Sequence, residues 1–109
     1  MKLLFICSRN QWRSLTAEKI FEAYGLYDVK SAGTAENARI KVNAGHIGWA
    51  DLIFVMEKKH ERRLKAKFGQ DLDGKRILRL DIEDEYGYMD EELIELLKSR
   101  VSEHIEVPE

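Results

Sequence analysis

LFICSRNQWRSLTAEKIF, residues 4–21, is the segment that indicates the fold class most directly. An apolar run over residues 2–6 is typical of a strand that is buried on both faces. From residue 14 to residue 25 the spacing of apolar residues changes to intervals of three and four, which predicts an amphipathic helix. The residues on its apolar face are Ala17, Ile20, Phe21 and Tyr24. The stretch therefore predicts a strand, a short loop and a helix in direct succession.

The rest of the chain repeats this alternation of strand and helix. Further strands are predicted over residues 27–32, 52–56 and 76–82, and further helices over 58–68 and 90–103. Residues 35–50 are predicted to form a loop with one or two helical turns. This order predicts an α/β fold: a single doubly wound domain over residues 1–109, with a four-stranded parallel sheet flanked by helices. Ligands of such sheets bind beyond the carboxyl ends of the strands, so the residues that follow each strand are the candidates for a site.

Composition excludes several classes of function. The chain has 109 residues, of which 44% are hydrophobic and 35% charged, and its net charge is −2. This balance gives no global attraction to nucleic acid or to an acidic membrane. A single cysteine excludes an internal disulfide framework, and the three histidines show no ligand spacing, so we expect no metal and no cofactor. The apolar run at the N-terminus is shorter than the roughly 7–15 residues of a signal peptide, and we expect a cytoplasmic protein.

The loop after the first strand carries the chemistry of an anion site. Successive backbone N–H groups can form a nest for an anion, and the start of the helix adds free donors and partial positive charge. Arg13 supplies a planar fork for two phosphate oxygens. The same field favours the thiolate of Cys7, which is a nucleophile, and Ser14 is placed to hydrogen-bond it. The predicted phosphate-binding residues are Ser8, Arg9, Asn10, Gln11, Trp12, Arg13 and Ser14.

Residues 4–21 resemble the opening of the low-molecular-weight protein tyrosine phosphatases, and residues 31–34 and 51–56 continue the resemblance. It implies that Cys7 is the nucleophile, that Asn10 adopts a left-handed conformation, and that Ser31 braces Asn10. Two positions depart from the family pattern. Trp12 replaces a second cysteine, so no vicinal disulfide can protect Cys7, and Arg9 replaces a glycine.

The acidic segment 81–95 is predicted to supply the general acid that a cysteine phosphatase needs. Asp84 and Tyr86 match the Asp-Pro-Tyr of the family's acid loop, with Glu85 in place of the proline. The resemblance thus implies that Asp84 donates the proton, and Asp81 is the alternative. Tyr86 and Tyr88 are candidates for the wall around a substrate ring, the other interpretation being ordinary packing at the rim.

The sequence thus predicts a phosphomonoester hydrolase that acts through a phosphocysteine. A protein tyrosine phosphatase is the first candidate. Its expected substrate is a phosphorylated protein or a small phosphomonoester, and we expect a monomer without nucleic-acid or membrane partners. Two alternatives stay open: a catalytically weak module that binds anions or phosphoproteins, and a phosphocysteine carrier similar to the sugar-transport IIB proteins. An arsenate reductase on this fold would need further cysteines. The basic segment 58–68 is either a solvated helix face or a docking surface.

Overall fold

A computed structural model describes residues 1–108. Within these residues, four strands alternate with four helices and one short 3₁₀ turn. In chain order these are β1 (Lys2–Cys7), α1 (Arg13–Glu22), β2 (Asp28–Gly33), α2 (Ala44–Trp49), β3 (Leu52–Val55), α3 (Lys58–Phe68), the 3₁₀ turn (Gly69–Leu72), β4 (Arg76–Arg79) and α4 (Glu91–Val101).

The four strands form one parallel sheet in the order β2-β1-β3-β4. β1 lies in the middle of the sheet, and every residue of it except Lys2 is buried. β3 is likewise buried throughout. A strand covered on both faces must be apolar along its whole length, and apart from Lys2 both strands have such a sequence. The expected fold, a four-stranded parallel sheet flanked by helices, is confirmed.

Alternating side chains of β1 enter two separate cores. On the face covered by α1 and α4, Phe5 stacks between Phe21 and Phe54, with ring centroids 5.4 and 5.0 Å apart. On the other face, Leu4 and Ile6 pack with residues of α2 and α3. Cys7 is the last residue of β1 and belongs to the first face. The rigid centre of the sheet therefore sets the position of the Cys7 sulfur.

Several elements are shorter than predicted. β4 ends at Arg79 rather than residue 82, because Asp81 adopts a left-handed backbone with φ of 55° that turns the chain out of the strand. α1 ends at Glu22, and Gly25, with φ of 72°, completes the turn into β2. None of the helices between residues 1 and 108 is both long and apolar enough to cross a membrane.

Candidate active site

A cavity of about 400 Å³ opens at the carboxyl end of β1. It is lined by Cys7, Ser8, Arg9, Gln11, Trp12, Arg13 and Asp84. Six of these residues come from the loop between β1 and α1 or from its ends, and Asp84 comes from the segment after β4. The topology places these two segments side by side, because β1 and β4 both pair with β3 and run parallel to it. Asn10 and Ser14, also predicted to bind phosphate, are fully buried and do not line the cavity.

The backbone of the loop is turned so that its amides face the cavity. Four successive carbonyls, of residues 7–10, accept hydrogen bonds from the segment 34–39, which does not line the cavity. The donors are Thr34 N–H to Cys7 (3.0 Å), Ala35 N–H to Ser8 (2.9 Å), Arg39 N–H to Arg9 (2.9 Å) and Arg39 Nε–H to Asn10 (3.1 Å). In a trans peptide the N–H points opposite to the preceding C=O, so the amides of residues 8–11 are directed the other way. Such a concave row of N–H groups is an anion-binding nest.

Close packing of β2 keeps this loop in place. A Cβ on Gly33 would lie 2.4 Å from the carbonyl oxygen of Ser8 and 2.7 Å from the Cβ of Ala38. Only glycine lets the end of β2 approach the loop so closely.

The sulfur of Cys7 has two hydrogen-bond partners inside the protein. Its Sγ lies 2.9 Å from Ser14 Oγ, and Asn10 N–H donates to it at 3.3 Å. Ser14 Oγ already accepts a hydrogen bond from Asn10 Nδ2 at 2.7 Å, so the Ser14 hydroxyl proton is free to be donated to the sulfur. The sulfur therefore lies where two groups of the protein can direct a hydrogen to it.

Asn10 connects this centre to β2 and α1. Its φ is 58°, the left-handed conformation that the resemblance implied. Its Nδ2 donates to Ser31 Oγ at 2.8 Å, and Ser31 Oγ donates in turn to Glu18 Oε1 at 2.7 Å. The left-handed conformation costs an asparagine less than most residues, and this network holds it in place. Glu18 was not among the predicted site residues, although it lies within the matched segment.

The guanidinium of Arg13 is anchored at one nitrogen. Arg13 is 2% exposed, and its Nη1 donates to Glu57 Oε2 at 2.6 Å and to the Ile82 carbonyl at 2.8 Å. Since Nη1 serves both partners, the Nε and Nη2 donors can serve an anion in the cavity. Burial alone would raise the pKa of the Glu57 carboxyl, but the hydrogen bond and charge of Arg13 outweigh burial and lower that pKa overall. Sequence reasoning missed Glu57, whose one signal was its position directly after the predicted strand 52–56.

His60 is a second group that sequence reasoning left out of the site. It is fully buried, its Nε2 lies 2.9 Å from Ser8 Oγ, and its Nδ1 accepts from Glu57 N–H at 3.0 Å. Burial, followed by the charge of Arg13, lowers the pKa of His60 from 6.5 to about 3. The ring is therefore neutral at physiological pH.

This shift predicts that His60 destabilises the fold in acid. Below about pH 6.5 the His60 ring takes up a proton in the unfolded chain, while in the folded protein it stays neutral. The contribution of His60 to stability is therefore complete above pH 6.5 and is lost as the pH falls towards 3. Between pH 6 and 4.5 the free energy of unfolding should fall by about 1.4 kcal/mol per pH unit on this account. Urea unfolding of the wild type and of His60→Gln, which does not titrate, measures the difference. Equal slopes for both proteins would contradict the buried neutral histidine.

The two acid candidates have different surroundings. Asp84 lines the cavity, its side chain is 54% exposed, and its Oδ1 lies 3.7 Å from Arg13 Nε. Asp81 does not line the cavity. Its carboxylate pairs with Arg79 at 2.9 Å, and its carbonyl accepts from Arg100. The geometry brings Asp84, and not Asp81, to the Cys7 loop.

The aromatic wall of the cavity is Trp12. Neither Tyr86 nor Tyr88 lines the cavity: Tyr86 packs against the core under α1 and α4, and Tyr88 is about half exposed elsewhere on the surface. Trp12 does line it and is 48% exposed. Trp12, which departs from the family pattern, thus occupies the position that was predicted for Tyr86 or Tyr88. Within residues 1–108, no three His, Cys, Asp or Glu side chains converge as metal ligands would.

No family model and no curated protein matches this sequence, but solved structures do. A low-molecular-weight protein tyrosine phosphatase from Bacillus subtilis is 22% identical with a TM-score of 0.72, over 95% of this chain and 99% of that one. The YwlE arginine phosphatase from Geobacillus stearothermophilus is 22% identical with a TM-score of 0.71, over 98% and 99%. A YwlE cysteine-to-serine mutant with a phosphorylated active-site serine is 21% identical with a TM-score of 0.69, over 95% and 97%. This chain therefore has the fold of the low-molecular-weight protein tyrosine phosphatases, as the resemblance implied.

Proposed function

We propose that this protein hydrolyses phosphomonoesters through a phosphocysteine on Cys7. The observation that carries the proposal is the surroundings of the Cys7 sulfur. It lies at the cavity, where Ser14 and the Asn10 amide can stabilise its negative charge and where the Arg13 fork can hold a phosphoryl group. A carboxylate on the facing segment, Asp84, completes the set that such a reaction needs.

The first step forms the phosphocysteine. The Cys7 thiolate attacks phosphorus, and a sulfur–phosphorus bond forms as the bond from phosphorus to the leaving oxygen breaks. Asp84 donates a proton to that oxygen. The loop amides and Arg13 stabilise the negative charge on the remaining phosphoryl oxygens. Electrostatic stabilisation of this kind is usually the largest single contribution to catalysis of phosphoryl transfer.

The second step regenerates the enzyme. Asp84, now ionised, removes a proton from a water molecule, whose oxygen attacks phosphorus as the sulfur–phosphorus bond breaks. The departing thiolate is stabilised by Ser14 and by the Asn10 amide. The products are inorganic phosphate and the starting form of the enzyme.

Phosphotyrosine on a protein is the first candidate substrate. Trp12 offers an exposed aromatic face at the cavity, where a phenyl ring attached to the bound phosphate can stack. Cys7, Arg13 and Asp84 all line one cavity of a single copy, so the proposed reaction needs no group from a second chain, and we propose that the protein acts as a monomer.

Phosphoarginine is the second candidate substrate. Phosphoarginine carries its phosphorus on nitrogen, so the phosphorus–nitrogen bond breaks, Asp84 gives its proton to that nitrogen, and a planar guanidinium cation leaves. Trp12 can stack on it, and Glu83 and Glu85, which flank Asp84 in the chain, add negative charge to the facing segment. A matched pair of peptides, one with phosphotyrosine and one with phosphoarginine, distinguishes the two substrates through kcat/KM.

The presence of Asp84 at the cavity favours hydrolysis over a carrier function, because a carrier needs no acid for a leaving alcohol. Release of inorganic phosphate from para-nitrophenyl phosphate tests the proposal. Phosphate binding without any turnover of this ester or of either peptide would instead indicate the anion-binding module. A stable phosphocysteine that passes its phosphoryl group to an acceptor would indicate the carrier.

The role of Asp84 gives a graded prediction. Asp84→Asn should lower kcat by about 10²–10³-fold on a phenyl phosphate, whose leaving group needs a proton. The loss should be smaller on para-nitrophenyl phosphate, because its leaving group departs as a stable anion. Asp81→Asn is the matched control and should stay near the wild type, since Asp81 faces Arg79. Equal losses on both esters would remove Asp84 from the role of general acid.

A further inference from the structure

Both ring nitrogens of the buried His60 are engaged, and together they determine where its hydrogen lies. Nδ1 accepts the backbone N–H of Glu57 at 3.0 Å, so in the neutral ring the hydrogen must be on Nε2. Nε2 lies 2.9 Å from Ser8 Oγ. The hydrogen bond therefore runs from His60 to Ser8, with Ser8 Oγ as the acceptor.

The His60 ring stays neutral, with its hydrogen on Nε2, at any pH well above 3. Its pKa is lowered to about 3 by burial and then by the cation of Arg13, while Lys59 and Arg63 add smaller effects in the same direction and Glu57 opposes them. The groups around His60 are thus the charged side chains of Arg13, Glu57, Lys59 and Arg63 and the hydroxyl of Ser8. Because the ring stays neutral at any pH well above 3, Nε2 remains a hydrogen-bond donor.

We infer that His60 is a positioning residue that turns the Ser8 hydroxyl into a hydrogen-bond donor to an anion in the cavity. Ser8 Oγ receives the His60 hydrogen, so its own hydrogen is free to be donated elsewhere. Ser8 lines the cavity. Its carbonyl accepts a hydrogen bond from Ala35 N–H at 2.9 Å, which fixes the backbone of Ser8 at this place. The inference rests on the proposed function, in which that anion is the phosphoryl group.

Helix capping alone does not explain these contacts. The pair formed by Glu57 and His60 caps the start of α3 through Nδ1, but this role makes no use of Nε2. The same short segment also holds the far end of the loop, because Glu57 Oε2 accepts from Arg13 Nη1 at 2.6 Å. Residues 57–60 thereby contact both Ser8, at the start of the loop, and Arg13, at its end.

Two substitutions separate positioning from capping. His60→Asn keeps an acceptor at the place of Nδ1 but has nothing at the place of Nε2. His60→Gln keeps a donor at the place of Nε2 but loses the Nδ1 acceptor. Ser8→Ala removes the hydroxyl itself without a change in the core.

The probe is inorganic phosphate, whose Kd is measured by calorimetry, with thermal melting of each variant as the check on folding. Ser8→Ala and His60→Asn should each weaken phosphate binding about tenfold, the usual effect of a hydrogen bond to a charged group. His60→Gln should recover most of that loss, although it loses the Nδ1 cap. In the Ser8→Ala background, His60→Asn should add little. With para-nitrophenyl phosphate, the losses should appear in kcat/KM.

Three results would overturn the inference: phosphate binding by Ser8→Ala at wild-type strength, equal losses in His60→Gln and His60→Asn, or a full effect of His60→Asn in the Ser8→Ala background. The first of these needs no buried substitution, so the test stands even where a His60 variant does not fold. A wild type that binds phosphate but turns over no ester would contradict the proposed function alone. A wild type that turns over esters while Ser8→Ala binds phosphate normally would contradict this inference alone.

Discussion

Cys7→Ser is expected to lower kcat by at least about 10⁴-fold, the scale on which the loss of a nucleophile acts. A serine hydroxyl does not ionise at neutral pH, and the donors around the sulfur, Ser14 and the Asn10 amide, are arranged for a thiolate. Inorganic phosphate should still bind, since the loop amides and Arg13 are unchanged. Turnover of para-nitrophenyl phosphate together with phosphate calorimetry measures both effects.

The intact mass of the same variant gives an independent reading. Any residual reaction should leave a phosphoryl group on the serine at position 7, because the hydroxyl lies where the sulfur was and a phosphate ester of serine hydrolyses slowly. A Cys7→Ser protein that retains more than a few per cent of wild-type kcat (about 1 part in 10⁴ being expected) would show that the phosphocysteine mechanism is wrong.

Arg13→Lys is expected to lower kcat/KM by about 10³-fold, although the charge is preserved. The guanidinium holds Glu57 and the Ile82 carbonyl with Nη1 and keeps two further donors for the phosphoryl group. A lysine has a single nitrogen and cannot span both sets of partners in a fixed plane. Its ammonium is expected to remain with Glu57, so phosphate should bind more weakly as well.

The matched control for Arg13→Lys is Arg62→Lys on the exposed face of α3, which should leave kcat/KM within about twofold of the wild type because exposed substitutions of this kind have small effects. Thermal melting separates lost chemistry from lost folding, since Arg13 is buried and paired with Glu57. Near-normal activity in a folded Arg13→Lys protein would exclude Arg13 from the site.

The loop after β1 was predictable because its residues are contiguous. A cysteine at the end of a buried strand and an arginine at the start of a helix must lie at one edge of the sheet, whatever the remaining chain does. The place of Asp84 at the site was predictable from its position beyond the last strand and from the match of Asp84 and Tyr86 to the family's acid loop, since an acidic segment by itself is typical of a solvated surface. Trp12 was noted as a departure from the family pattern, but its place in the wall follows from the shape of the loop.

Three features can be derived from the sequence alone: the alternation of strands and helices, the parallel sheet, and the loop that presents Cys7 and Arg13. These follow from hydrophobic periodicity and from neighbours in the chain, both of which are local properties. The partners of those two side chains depend instead on the tertiary structure. Glu57 meets Arg13 across 44 residues, and His60 meets Ser8 across 52. Contacts over such separations depend on how β3 and α3 pack beside β1, and no local pattern in the sequence predicts them.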